Sequence, residues 1–292
     1  MGKPTFQVAA LDDILARHFP LHSGLRPLEE GEESRAFAFD CPEGAFVLRV
    51  NADARGFHKD RLAFALLNSE RIPVPEVLVL EDLGDGTHVC VSRRLAGVTL
   101  QALPAGAAYS YGPALAGLLN ALANVDAEKL DRFANETDGR AWPNFVTAIA
   151  DYDWSHCPGE HAGFIKRMIE SVLRRAADLP QDRGVVHGDF GSNNVLVEDG
   201  QVTGLIDWSE ARTGAPLYDL ANILFWRSWL DCMEQQARYF EAEEPHWLAD
   251  RDSLVCYQLR IGLETLHGAF ASGDRRLTGW ALDTSRAILA AG

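Results

Sequence analysis

The stretch "VVHGDFGSNNVLVEDGQVTGLID", Val185 to Asp207, constrains the fold of this chain more than any other. Its alternating apolar residues read as a β-hairpin with Asp199 and Gly200 as the tight turn, because a two-residue hairpin turn needs the left-handed backbone that Asp-Gly tolerates. In an antiparallel pair the residue opening the first strand lies beside the residue closing the second, so Asn194 and Asp207 are expected at one edge. Asp189 stands in the loop just before. Two carboxylates and a carboxamide converging on one point suit a hard divalent cation, Mg²⁺. A buried strand end has no structural use for them.

The hairpin interrupts a chain that is otherwise organised in two ways. Before residue 95, "RAFAFD", "CPEG" and "AFVLRV" alternate as a hairpin, a helical stripe covers residues 57–70, Pro73 and Pro75 end it, and "VLVLED" and "THVCVSR" read as two further strands. After it, helical periodicity covers residues 111–124, 144–150 and 164–178 and returns from Leu217 to the end. The expected architecture is α+β and bilobal, since 292 residues exceed what one small core usually organises. Residues 1–95 would form a small lobe of antiparallel sheet with one helix, a hinge would lie at about 92–97, and residues 96–292 would form a larger, mainly helical lobe.

Charge narrows the partners. Forty-two acidic against 27 basic residues give a formal net charge of -15, which opposes binding to nucleic acid and to anionic membrane surfaces. An acidic chain suits a cationic small molecule, although general solubility alone also accounts for such a charge excess. The five cysteines are widely spaced without a CxxC pair, which fits reduced thiols in a cytoplasmic protein. Asp12 and Asp13 break any signal-peptide pattern, and no apolar run approaches the roughly 20 residues that span a bilayer. His156, Cys157 and His161 form a loose cluster in "HCPGEH", but without a second ligand pair they do not make a zinc site.

His187, Asp189 and Asn194, followed by Asp207 in "IDW", have the spacing of a protein-kinase catalytic loop and its metal-binding aspartate. The chemistry explains the residue types. Phosphoryl transfer gathers negative charge on the γ-phosphate, so metal ions must be held beside a carboxylate that orients and deprotonates a hydroxyl.

"HGDFGSNNVL", "IDWSEA" and "YDLANILFW" resemble the aminoglycoside phosphotransferase family, which has a kinase-like fold. "EGEESRAFAFD", "VLRVN", "IPVPEVL", "SRRLAGVTLQ" and "CMEQQARYFE" are similar to the branch of that family that phosphorylates the 4-hydroxyl of hygromycin B. The resemblance implies an ATP- and Mg²⁺-dependent monomeric enzyme of antibiotic resistance, with Asp189 as catalytic base and Asn194 and Asp207 as metal ligands. It further implies nucleotide contacts at Ser34 and Gly31 in "EGEESR" and at the backbone of Arg93 to Leu95. His187 would brace the loop and Asp219 would anchor it. Arg49 stands where the family's phosphate-pairing lysine is expected; its fork keeps a permanent charge. Asp60 is the nearest acid to pair with it, although the charged "HKDR" setting favours a solvent-facing acid.

Between Asp207 and Glu244 eight acids accompany three arginines. Glu210, Asp231 and Glu234, interleaved with Trp226 and Trp229, form a candidate wall for a cationic sugar. Core packing is the alternative for the two tryptophans. Two other functions stay open: a kinase of the same fold acting on another small amino-alcohol or sugar, and a non-catalytic nucleotide-binding module.

Overall fold

"RAFAFD" and "AFVLRV" alternate apolar and polar residues, and they fold back on one another as that period demands. In this computed structural model, which describes residues 8–28, 35–84, 86–137, 141–180 and 183–292, they form part of a five-stranded antiparallel sheet. Contacts divide the chain into two units. One runs to Gly97 and adds Thr203–Glu210; the other comprises Val98–Val202 and Ala211–Gly292.

The first unit contains α1 (Val8–His18), β1 (Arg26–Pro27), β2 (Arg35–Cys41), β3 (Gly44–Asn51), α2 (Arg55–Leu67), β4 (Val77–Asp82) and β5 (His88–Arg93). The sheet order is β1-β2-β3-β5-β4. Leu48 lies between Phe37 on β2 and Val91 on β5, which makes β3 a central strand. Phe46, Leu48 and Val50 face one way and are fully buried with Leu11, Ile14 and Leu15 of α1. Phe19, Phe39 and Phe46 close this core with ring centroids 4.9–5.4 Å apart. Arg49, one position out of phase, necessarily points to the opposite face. Helix α1 and strand β1 were not anticipated from the sequence.

The second unit contains β6 (Val98–Thr99), α3 (Gly112–Ala123), α4 (Ala127–Glu136), α5 (Trp142–Thr147), α6 (Gly159–Ala176), β7 (Gly184–Val186) and β8 (Val195–Glu198). The chain leaves it in β9 (Gln201–Leu205) and returns through β10 (Arg212–Gly214), α7 (Leu217–Trp226), α8 (Asp231–Glu243), α9 (Arg251–Ser272) and α10 (Arg275–Ala291). Helix α9 is apolar around most of its circumference, with Leu254, Tyr257, Leu259, Ile261, Leu263 and Leu266 buried, because α6, α7 and α10 all pack on it. Asp250 caps its start by accepting the Ser253 amide at 3.0 Å, and Gly273, at φ 72°, ends it. Strand β10 pairs antiparallel with β7, Arg212 opposite Val186. The turn Asp199-Gly200 has φ of 49° and 79°, the left-handed geometry expected of it. Among the described residues no helix is long and apolar enough to cross a membrane.

Candidate active site

The second unit builds the loop that carries Asp189. Strand β7 is wholly buried, and the loop leaving it turns at Gly188 (φ 89°) and Gly191 (φ 113°), conformations that only glycine adopts without strain. Asp219, in the first turn of α7 and fully buried, accepts the backbone amides of His187 at 2.8 Å and Gly188 at 2.9 Å. Burial pushes its carboxyl up to about 6, and the charge of His187 and these two amide bonds pull against that rise. His187 is itself fully buried, its ring 6.5 Å from that of Phe190. Asp189 is exposed. Asn194, nearly buried at the head of β8, donates from Nδ2 to the Asp189 carboxylate at 2.8 Å and to its carbonyl at 2.9 Å. The catalytic-loop spacing thus becomes a hydrogen-bonded pair on a braced turn.

The first unit builds a second constellation. The Arg49 guanidinium pairs with the Asp60 carboxylate and lies 5.0 Å above the Phe57 ring. Burial alone would lower the pKa of Arg49, but the neighbouring Asp60 and Asp207 carboxylates raise it. Asp60 is 3% exposed, so the solvent-facing expectation was wrong. Its other oxygen accepts the backbone amide of Trp208 at 2.9 Å, one residue beyond Asp207. Lys59 donates to the Ser209 carbonyl at 2.6 Å, and Leu205 donates to the Pro73 carbonyl at 2.8 Å. Asp207 itself is exposed and sits at φ 60°, a left-handed backbone that aspartate tolerates but does not favour. Helix α2 therefore grips the backbone around Asp207 and the cation beside it.

The signal for Asp60 was present in the sequence. Phe57, Asp60, Ala63 and Leu67 share one face of α2, so the acid falls on the buried stripe. Arg93 offers less than expected. Its amide donates to the Glu76 carbonyl at 2.9 Å and its side chain to Glu76 at 2.8 Å, so a donor to a purine edge would come from a later residue, Leu95 among them. Ser34 and Gly31 lie outside the described residues.

The candidate sugar wall is largely engaged internally. Trp226 stacks on Trp280 of α10 at 4.8 Å, Trp229 meets the same ring at 5.0 Å, and the Arg276 guanidinium lies 4.6 Å over Trp229. Glu234 takes Arg227 and Arg238, each at 2.7 Å, and Asp231 accepts the Gly106 amide at 2.8 Å. Glu210 belongs to the segment grouped with the first unit and is exposed. Asn222, which sequence reasoning passed over, donates to the Phe190 carbonyl at 3.0 Å.

Residues 24–254 match the family model for the APH phosphotransferase enzyme family. The chain belongs to that family. It is 39% identical to hygromycin-B 4-O-kinase of Escherichia coli, over all of this chain and 88% of that protein. It is 29% identical to homoserine kinase of Gluconobacter oxydans, over 68% of this chain and 64% of that protein. A crystal structure of aminoglycoside phosphotransferase APH(4)-Ia, 38% identical, aligns over 98% of this chain and 99% of that chain with a TM-score of 0.90. A thermostable mutant of the same enzyme in ternary complex with ADP and hygromycin B aligns over 97% and 99% with a TM-score of 0.89. The fold of this phosphotransferase is therefore the kinase-like one that its catalytic-loop spacing suggested.

Proposed function

We propose that this phosphotransferase moves the γ-phosphoryl group of ATP onto a hydroxyl of an aminoglycoside, specifically the 4-hydroxyl of hygromycin B, and so confers resistance to it. The observation that carries the reading is 39% identity, along the entire chain, with a hygromycin-B 4-O-kinase, joined to a braced loop that presents an exposed carboxylate.

Asp189 accepts the proton of the attacking hydroxyl. The Asn194 amide, donating to that carboxylate at 2.8 Å, fixes its orientation. Asn194 and Asp207, at the open ends of one hairpin in the sequence, offer a carboxamide oxygen and a carboxylate, hard donors that would hold Mg²⁺. When bound, Mg²⁺ neutralises the charge that develops on the transferring phosphoryl group. Arg49, locked by Asp60, holds the nucleotide phosphates as a fixed planar cation.

A coupled ADP-release assay over a panel of aminoglycosides and small amino-alcohols, homoserine included, tests the reading. Turnover is expected with hygromycin B, and NMR of the product should place phosphorus on the 4-oxygen. Turnover confined to homoserine or another amino-alcohol would move the chain to the second reading that its similarity to homoserine kinase supports.

A further inference from the structure

We propose that Asn222 is a positioning residue for Asp189, holding the Phe190–Gly191 peptide just beyond it. The inference rests on Asp189 as the base. The loop is gripped on both sides of that residue. Before it, Asp219 takes the amides of His187 and Gly188. After it, the Asn222 amide donates to the Phe190 carbonyl at 3.0 Å. Asp219 and Asn222 are three residues apart on α7 and so share a face, which makes one helix the seat for both halves of the loop. Immediately beyond, a Cβ placed on Gly191 would lie 2.5 Å from Met233 Cε of α8, so the backbone there is pressed directly against that helix.

Packing does not explain the residue type. Asn222 is 4% exposed and its neighbours on α7 (Leu220, Ala221, Ile223 and Phe225) are apolar and fully buried. A carboxamide at that depth is costly unless it bonds, and without it the buried Phe190 carbonyl would lose this donor. The bond fixes the plane of the Phe190–Gly191 peptide, while Asp219 fixes those at His187 and Gly188. Between these anchored peptides the Asp189 Cα has little freedom, so its exposed carboxylate, which Asn194 also holds at 2.8 Å, keeps one direction.

The test compares kcat and KM for ATP and hygromycin B in Asn222→Ala, Asn222→Leu and Asp189→Ala, with Tyr257→Phe as a control. Tyr257 accepts the Trp142 indole N–H at 3.1 Å, a buried bond elsewhere in the same unit. Asn222→Leu keeps the side-chain volume and suits its apolar surroundings, so it remains informative should the alanine variant not fold. The expected result is a fall in kcat of about tenfold or more in both Asn222 variants with either KM changed less than about threefold, because a displaced base affects the chemical step rather than binding. Tyr257→Phe should lower the unfolding midpoint and leave kcat within about twofold. Asn222 variants with kcat within about twofold of the parent, or a kcat loss as large in Tyr257→Phe, would overturn the proposal while an inactive Asp189→Ala left the base in place. Turnover retained in Asp189→Ala would sink the reading of the base itself, and this inference with it.

Discussion

Asp60 binds two things at once: a cation on β3 and the backbone amide of Trp208, beside the aspartate assigned to the metal. Asp60→Asn keeps the volume but leaves the largely buried Arg49 facing a neutral amide. Breaking a buried pair by removing one partner costs about 3–5 kcal/mol, so urea unfolding should show a loss of that order together with a raised KM for ATP. An unchanged midpoint would mean that Arg49 does not depend on Asp60. Asp219 gives a prediction in pH. Its pKa of about 6 in the folded chain lies above the ordinary carboxylate value, so the folded form holds the proton more tightly. This contribution to stability is greatest in acid and is lost as pH rises through about 6. Measured against Asp219→Asn, which cannot titrate, the parent should lose relative unfolding free energy between about pH 4 and about pH 7. A constant difference would contradict the burial argument. At this scale spacing in the sequence was enough to bring Asp189 and Asn194 into one loop and Asp219 beneath it, as their hydrogen bonds show. It was misread at Asp60, where the charged neighbours in "HKDR" hid a residue on the buried stripe.

The elements were legible in proportion to how many turns or alternations they contain. Strand β3 and helix α6 show several periods, and Asp199-Gly200 states its own turn. Helix α4 sets Leu130 and Phe133 three residues apart on one face of a charged segment, a period that the sequence reading passed over, whereas β10 has three residues and provides none. The tryptophans of α7 illustrate a different difficulty. Their i, i+3 spacing announces one surface, but the sequence does not say what covers it. The structure puts Trp280 there, its indole donating to Ser228 at 2.9 Å. Trp280→Ala should therefore destabilise the chain by about 2–4 kcal/mol in denaturant unfolding, below the full cost of a completely buried tryptophan. A negligible change would return Trp226 and Trp229 to the status of a free platform for a sugar.

Across the whole molecule the boundary near residue 95 follows from the change in periodicity, and the contacts put it at Gly97. The grouping of residues 203–210 with the first unit could not be read in the same way. It depends on the Leu205–Pro73, Asp60–Trp208 and Lys59–Ser209 bonds, which join positions more than 100 residues apart. The net charge of -15 acts at this scale too. An acidic chain that attracts a cationic substrate should show kcat/KM for hygromycin B falling as salt rises from about 50 to about 500 mM, since screening shortens the reach of that field. Salt-independent kinetics would show that the charge serves only solubility. The central claim is that one exposed carboxylate on a braced loop removes the proton from the accepting hydroxyl. Its most direct test is turnover by Asp189→Ala with hygromycin B, alongside nucleotide binding by the same variant. Turnover should fall by about 10²–10⁴-fold while the Kd for ATP changes less than about threefold; turnover at the parent rate would contradict the account.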